Sequence, residues 1–142
     1  MWLGALAFTV SWFLPVIDEV RGWEAFRFAL SPLVPFRQFG SLGEHAVPGV
    51  LSALTNLMFV LLFALWLTRQ MFRPGLFVRI AIACFVLDLY WIVQAWRDHD
   101  IASLRIGYYL WLAAFAMLLA VAILTAFEAR RTSRTPRAGT PS

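Results

Sequence analysis

The chain has 142 residues, and its composition excludes a soluble globular domain. Hydrophobic residues make up 61% of the chain and charged residues only 14%, whereas a soluble domain carries about 25% charged residues to keep its surface in water. The charged residues are gathered between apolar stretches of about 20 residues, the length at which a helix crosses about 30 Å of hydrocarbon. The net charge of +4 comes from arginines at the ends of these stretches, which indicates membrane topology rather than binding to nucleic acid.

The apolar stretches predict an all-α membrane protein, a four-transmembrane-helix bundle that forms a single domain over residues 1–128. The first stretch is short, but no positive segment precedes it and no small-residue cleavage site follows it, so we predict a retained helix rather than a signal peptide. The predicted spans are 2–17, 47–68, 76–96 and 106–127.

A mixed segment, EVRGWEAFRFALSP at residues 19–32, follows the first predicted span. It predicts a short amphipathic helix over residues 22–30 that ends before Pro32, because the residue preceding a proline is disfavoured in the α conformation. Such a helix is typical of the membrane–water interface. The alternative is a docking face for another membrane protein, with aromatic anchors. The residues predicted to contact the interface or a partner are Trp23, Glu24, Phe26, Arg27 and Leu30.

One acidic residue, Asp88 in CFVLDLYWIV, falls inside the third predicted span. A carboxylate at this depth costs several kcal/mol unless it is protonated, paired or hydrated, so it is a candidate functional group. Two interpretations stay open: an interhelical hydrogen-bonded clasp, and a proton- or cation-responsive site. Counting residues from the span ends predicts a polar intramembrane cluster of Asp88, Asn56, Thr55 and Thr9, with Tyr108 and Tyr109 slightly nearer the surface.

Arginine positions predict the orientation. The connection between the second and third spans and the tail after residue 127 are the most arginine-dense, which places both termini in the cytoplasm of a bacterial inner membrane. The tail, residues 129–142, is rich in Arg, Ser, Thr and Pro and is predicted to be disordered. The aromatic clusters YWIVQAW and GYYLW lie near the opposite span ends, and we interpret them as interface anchors.

Catalytic and metal-binding motifs are not found in the sequence: it has no glycine-rich phosphate loop, no nucleophile elbow and no HExxH motif. His45 and His99 each neighbour an acidic residue, but their spacing does not suit a metal site, so we interpret them as solvated loop residues. The single Cys84 excludes an internal disulfide bond. The sequence therefore predicts no catalytic residue, no metal and no cofactor.

Four motifs, FLPV, GWEAF, LSALTNLMFVLLF and GYYLWLAAFAMLLA, carry a resemblance over most of the chain up to residue 127. On these motifs the chain resembles a loose group of uncharacterised bacterial four-span small membrane proteins. The resemblance implies a four-span membrane protein of bacterial origin. The group has no established activity, so the resemblance implies no role for any residue.

We therefore expect a small membrane protein that acts as a non-catalytic accessory, scaffold or protective (immunity-like) component. The alternative function is a small proton- or cation-responsive transporter or sensor that uses Asp88. The expected partner is the lipid bilayer, with a second membrane protein or a second copy of the chain as further partners. Nucleic acid is not an expected partner.

Overall fold

The computed structural model describes residues 1–33, 46–68 and 73–134, with side chains in the last range as far as residue 131. The described part is mainly helical, with one two-stranded hairpin near the N-terminus. In chain order the elements are α1 (Trp2–Ser11), β1 (Pro15–Ile17), β2 (Val20–Arg21), α2 (Gly22–Ala29), α3 (Ala46–Leu67), α4 (Pro74–Arg97), a 3-10 helix (Ile101–Ser103) and α5 (Ile106–Arg134).

Three of the described helices, α3, α4 and α5, are long and apolar enough to cross a membrane. This confirms a helical membrane protein. α1 has ten residues and is therefore about 15 Å long, half of the hydrocarbon thickness of about 30 Å. α1 on its own does not establish the fourth predicted crossing.

The first predicted span, 2–17, is helical only as far as Ser11. Its second half is different because Pro15 has no N–H to donate and disfavours the α conformation of the residue before it. The chain instead forms an antiparallel hairpin of β1 and β2, whose turn places Asp18 at a φ of 50°, a left-handed conformation that Asp tolerates. The prediction of a continuous helix over 2–17 is therefore wrong.

The hairpin is extended by the connection between α4 and α5. Ile17 pairs with Leu104, and the Asp18 N–H donates to the Ser103 carbonyl at 2.7 Å. The Arg105 N–H donates to the Val16 carbonyl of the hairpin at 3.0 Å. These bonds tie the segment after α1 to the start of α5. We call this side of the molecule the hairpin end and the opposite side, where α3 ends and α4 begins, the tail end.

The predicted bounds of α2 are close to those observed, and the predicted end of the last span is wrong. α2 covers Gly22–Ala29, one residue shorter than predicted, and begins with the Glu24 carboxylate accepting the Arg21 N–H at 2.9 Å. α5 continues to Arg134, so residues 129–134 are helical where disorder was predicted. Alanine and arginine favour a helix, and no proline interrupts it there. Residues 135–142 lie outside the described residues.

The core towards the tail end is apolar. Three phenylalanines form its centre: the rings of Phe8 and Phe59 stack with centroids 4.2 Å apart, and Phe115 meets Phe59 edge-on at 5.1 Å. α5 packs mainly against α1 and α4, and α3 packs against α4. We call this group the aromatic core. Buried residues around it include Ala7, Leu62, Phe77, Ala81, Cys84, Ala114, Leu118 and Ala122.

Candidate functional site: a cavity at the hairpin end

A cavity of about 380 Å³ lies at the hairpin end, between α1, the hairpin, α2 and the adjoining parts of α3, α4 and α5. One side is formed by α2, where Phe26 lines the cavity and packs its ring against that of Trp12 with centroids 5.2 Å apart. Trp91 from α4 and Trp111 from α5 line other parts of it. Most of the lining is therefore apolar and aromatic, which is typical of sites for small molecules.

α2 reaches the cavity because Gly22 allows a close approach to the end of α1. A Cβ atom built on Gly22 would lie 2.5 Å from the Ser11 carbonyl oxygen, a distance that a side chain cannot occupy. The Trp23 N–H donates to the Trp12 carbonyl at 3.1 Å, and the Gly22 N–H donates to the Leu14 carbonyl at 3.1 Å. The glycine of the GWEAF motif thus fixes α2 against α1.

A second glycine, Gly107, has the same role at the start of α5. A Cβ atom on Gly107 would lie 2.5 Å from the Pro15 carbonyl oxygen. The next residue, Tyr108, is 3% exposed and packs in a small buried group with Val16 and Leu104. The glycine of the GYYLWL motif thus lets the hairpin rest on α5, and together the two glycines hold two walls of the cavity in place.

The polar lining of the cavity comes from two helices. The Trp111 indole N–H donates to the Asn56 side-chain oxygen at 2.9 Å, and the Asn56 amide donates to the Ser52 carbonyl at 3.3 Å. The Ser11 hydroxyl donates to the Phe8 carbonyl at 2.7 Å. The Ser52 hydroxyl makes no hydrogen bond within the described residues. A few polar groups are therefore set into an otherwise apolar surface.

Asp88 lies next to this lining and is fully buried, at 0% exposure. The Thr55 hydroxyl donates to Asp88 Oδ1 at 2.9 Å, and the Tyr108 hydroxyl donates to the Asp88 backbone carbonyl at 2.6 Å. Asp88 Oδ2 is buried and has no hydrogen-bond partner within residues 1–33, 46–68 and 73–134. The carboxyl group is thus held on one side by α3 and left unpartnered on the other.

The Thr55 hydroxyl stands between two acceptors, since its oxygen is also 2.6 Å from the Ser52 carbonyl. A hydroxyl carries one proton, so it donates to only one of the two acceptors at a time. Both contacts are hydrogen bonds at once if Asp88 carries its carboxyl proton, donates it to Thr55 and leaves the Thr55 proton for Ser52. The geometry therefore accommodates an uncharged Asp88.

The predicted polar cluster comes together only in part. Asp88 and Thr55 are in direct contact. Asn56 is bonded to Trp111 and is linked to Thr55 only through the Ser52 carbonyl, to which both donate. Thr9 is exposed and donates to the Ala5 carbonyl of its own helix at 2.9 Å, so its inclusion was wrong. Depth along a span is predictable by counting residues, but the rotation of a ten-residue helix about its axis is not.

The residues of α2 that were predicted to contact the membrane interface or a partner differ in what they contact in the structure. Phe26 faces the cavity, while the Arg27 guanidinium lies over the Trp23 ring, 5.6 Å from its centroid. Glu24 accepts the Arg21 N–H at the start of the helix. Leu30 follows the last helical residue, and its N–H donates to the Phe26 carbonyl at 3.1 Å. α2 is half-buried along its length and is a wall of the cavity as well as a surface.

Most of the lining residues were not predicted as site residues, among them Ser11, Ser52, Trp91 and Trp111. Ser52 had a weak signal, because it precedes Thr55 and Asn56 by one helical turn and so shares their face. The two tryptophans were interpreted as interface anchors, an interpretation that ignores which side of the helix they occupy. The cavity itself depends on the hairpin, which the sequence did not predict.

No family model, curated protein or solved structure matches this chain. The contacts described above are therefore the basis on which a function is proposed. Within the described residues, no three His, Cys, Asp or Glu side chains are grouped so that they could hold a metal ion.

Proposed function

We propose that the protein is a small, non-catalytic membrane component that binds a small, largely apolar molecule in the cavity at its hairpin end. In this role it is an accessory or protective subunit whose state depends on the bound molecule. The observation that carries the proposal is the cavity of about 380 Å³, walled by aromatic side chains and containing a few convergent polar groups. This volume lies within the range of about 300–1,000 Å³ that is usual for ligand sites.

The proposal includes a topology. The first apolar run contacts Phe63, close to the tail end of α3, through Trp2, and at its other end pairs with Leu104. We propose that α1 and the extended segment after it together make the fourth crossing of a four-helix bundle. The arginine density after α3 and along the end of α5 favours a cytoplasmic tail end in a bacterial inner membrane. The cavity then opens in the outer half of the bilayer, where a molecule dissolved in lipid reaches it.

Photolabelling tests the proposal. Four ten-carbon probes, each with a diazirine on the chain, end in a methyl, hydroxyl, carboxylate or trimethylammonium group. The full-length protein in lipid nanodiscs is irradiated with each probe, and the labelled residues are mapped by mass spectrometry. We expect at least one probe to label cavity-lining residues and the same unlabelled compound to compete it away.

Ala53 provides the matched variants. It lines the cavity and is 2% exposed, so Ala53→Phe fills the site, whereas Ala64→Phe places the same ring on an exposed position of the same helix. Ala29→Phe fills the cavity from α2 and serves if Ala53→Phe does not fold. Saturable labelling should disappear in the filled variants and persist in Ala64→Phe. If no probe labels the wild-type cavity saturably, the proposed function is wrong.

A second function, a proton- or cation-responsive sensor, is favoured by Asp88 specifically. The carboxyl group is fully buried, shares one hydroxyl proton with Ser52 through Thr55 and leaves Oδ2 without a partner among the described residues. In Asp88→Asn the side chain keeps its size and loses the titratable proton. If the carboxyl group is a clasp, the variant folds with a modest loss of stability and responds to pH as the wild type does.

The pH response is measured by following tryptophan fluorescence of the nanodisc sample from pH 5 to pH 9, since tryptophans line the cavity next to Asp88. A pH-dependent change that is present in the wild type and absent from Asp88→Asn supports the sensor. Identical traces in both proteins exclude it and leave the clasp.

A further inference from the structure

The polar lining of the cavity restricts the chemical class of the ligand more narrowly than the cavity volume does. The inference that follows rests on the proposed function. We propose that the ligand is an uncharged amphiphile whose polar end is a hydroxyl group. Three properties of the site favour this class of ligand: its charge, its unused hydrogen-bonding atoms and its size.

The first property is charge. None of the described residues that line the cavity is charged: the polar groups belong to serine, asparagine, tyrosine and tryptophan. Asp88 lies behind this lining, where its carboxyl group contacts Thr55 rather than the cavity. An ionised carboxylate or ammonium group buried without a partner is far more costly than a buried hydroxyl group. The site therefore disfavours fatty-acid anions and cationic amphiphiles.

The second property is the balance of donors and acceptors. The hydroxyl protons of Ser11 and Tyr108 are already donated to backbone carbonyls, so each hydroxyl oxygen can serve only as an acceptor for a ligand. Ser52 has an unused hydroxyl that both donates and accepts. The Asn56 amide adds a donor, since it has a second N–H besides the one donated to the Ser52 carbonyl. A lining that offers both donors and acceptors suits a ligand group that does both, as a hydroxyl group does and the carbonyl of a ketone or ester does not.

The third property is size. A volume of 380 Å³ corresponds to roughly a dozen volumes of about 30 Å³, the share of one water molecule in the liquid. This is enough for about a dozen non-hydrogen atoms. A medium-chain alcohol, or the hydroxyl-bearing end of a longer neutral lipid, is of this size. The aromatic walls then contact the chain, and the hydroxyl group lies against Ser52.

Competition among the four probe types tests the ligand class. We expect unlabelled decanol to prevent labelling of the cavity at a concentration about 3- to 10-fold lower than decane, the gain that one additional hydrogen bond provides. Decanoate and decyltrimethylammonium should compete more weakly than decane. Concentrations are compared as mole fractions in the lipid, so that different partitioning does not enter the comparison.

Ser52→Ala identifies the polar contact. This substitution should weaken competition by decanol about 3- to 10-fold and leave competition by decane unchanged, because of these two compounds only the alcohol bonds to the Ser52 hydroxyl. Thr9→Ala is the control, since the Thr9 hydroxyl is exposed and bonded within α1. If Ser52→Ala does not fold, the order of the four compounds on the wild type alone decides the ligand class.

The two proposals fail in different ways. If the methyl, carboxylate or trimethylammonium compound competes best, the inferred class is wrong while ligand binding in the cavity stands. If none of the four compounds labels the cavity saturably, the proposed function is wrong, and the inferred class falls with it.

Discussion

The two ends of the molecule are built by different means. Towards the tail end, aromatic and aliphatic side chains from α1, α3, α4 and α5 fill the space between the helices, with Phe115 fully buried among them. Towards the hairpin end, backbone hydrogen bonds hold a hairpin and a short helix above a cavity. Side-chain packing therefore determines the structure at one end, and backbone contacts at two glycines determine it at the other.

This difference separates stability from function. A filled core loses stability when a side chain is shortened, because the remaining void has no atoms to contact. The hairpin end is held by backbone contacts around a cavity. It therefore tolerates a changed side chain in the cavity wall, but it does not tolerate a Cβ atom added where two backbone segments lie close together. We therefore expect substitutions in the aromatic core to change stability, and substitutions in the cavity wall to change binding.

The largest effect is expected in the aromatic core. Phe115→Ala removes a ring that is 0% exposed and should lower the free energy of unfolding by about 3–5 kcal/mol. Saturable labelling of the cavity should remain at temperatures where the variant is folded. Unfolding is measured by circular dichroism during titration with a denaturing detergent. The control is Leu124→Ala on the same helix, where the side chain is 63% exposed, and a similar loss in both variants would contradict the distinction.

A smaller loss is expected from an added methyl group at the hairpin end. Gly107→Ala places a Cβ atom 2.5 Å from the Pro15 carbonyl oxygen and should cost about 1–3 kcal/mol, as overpacking does. It should also weaken cavity labelling, because the hairpin moves away from α5. Gly75→Ala is the control, since a Cβ atom there meets nothing within 4 Å. A fully stable Gly107→Ala with normal labelling would show that the hairpin is not held by this contact.

The next largest loss of stability is expected at the contact between α3 and α4. Thr55→Val removes the hydroxyl bonded to Asp88 and should cost up to about 1.7 kcal/mol, the upper limit measured for interhelical hydrogen bonds in membranes. A double-mutant cycle with Asp88→Leu, which removes both carboxyl oxygens, measures the coupling between the two side chains. Thr9→Val, outside this contact, should leave stability nearly unchanged. A coupling energy of zero would contradict the interhelical bond.

The smallest effect on stability is expected from the cavity wall. Trp111→Phe keeps an aromatic ring and removes the indole N–H bonded to Asn56, a loss of about 0.6 kcal/mol. The freed Asn56 oxygen should alter the order in which the four probe types compete. Trp96→Phe, at a position that is 66% exposed, serves as the control in both measurements. Equal effects of the two substitutions would contradict a specific role for the Trp111–Asn56 bond.

The sequence predicted the long helices well, because apolar length and flanking arginines determine them. It also predicted α2 to within one residue from the glycine at its start and the proline after it. The hairpin was not predicted, since its partner Leu104 is distant in sequence and its strands are only three and two residues long. Grouping residues by their depth in the membrane correctly placed Thr55 next to Asp88. The same reasoning failed for Thr9, because depth does not determine which side of a helix a residue occupies.

The pairing of Ile17 with Leu104 also determines how late this part of the fold is completed. The segment after α1 is made before its partners, because the backbone groups that bond to it, at residues 103–105, are synthesised more than eighty residues later. Until then the Asp18 N–H and the Val16 carbonyl lack the partners that they have in the folded protein. The hairpin, and with it the cavity that it borders, is therefore completed only after residues 103–105 have been made.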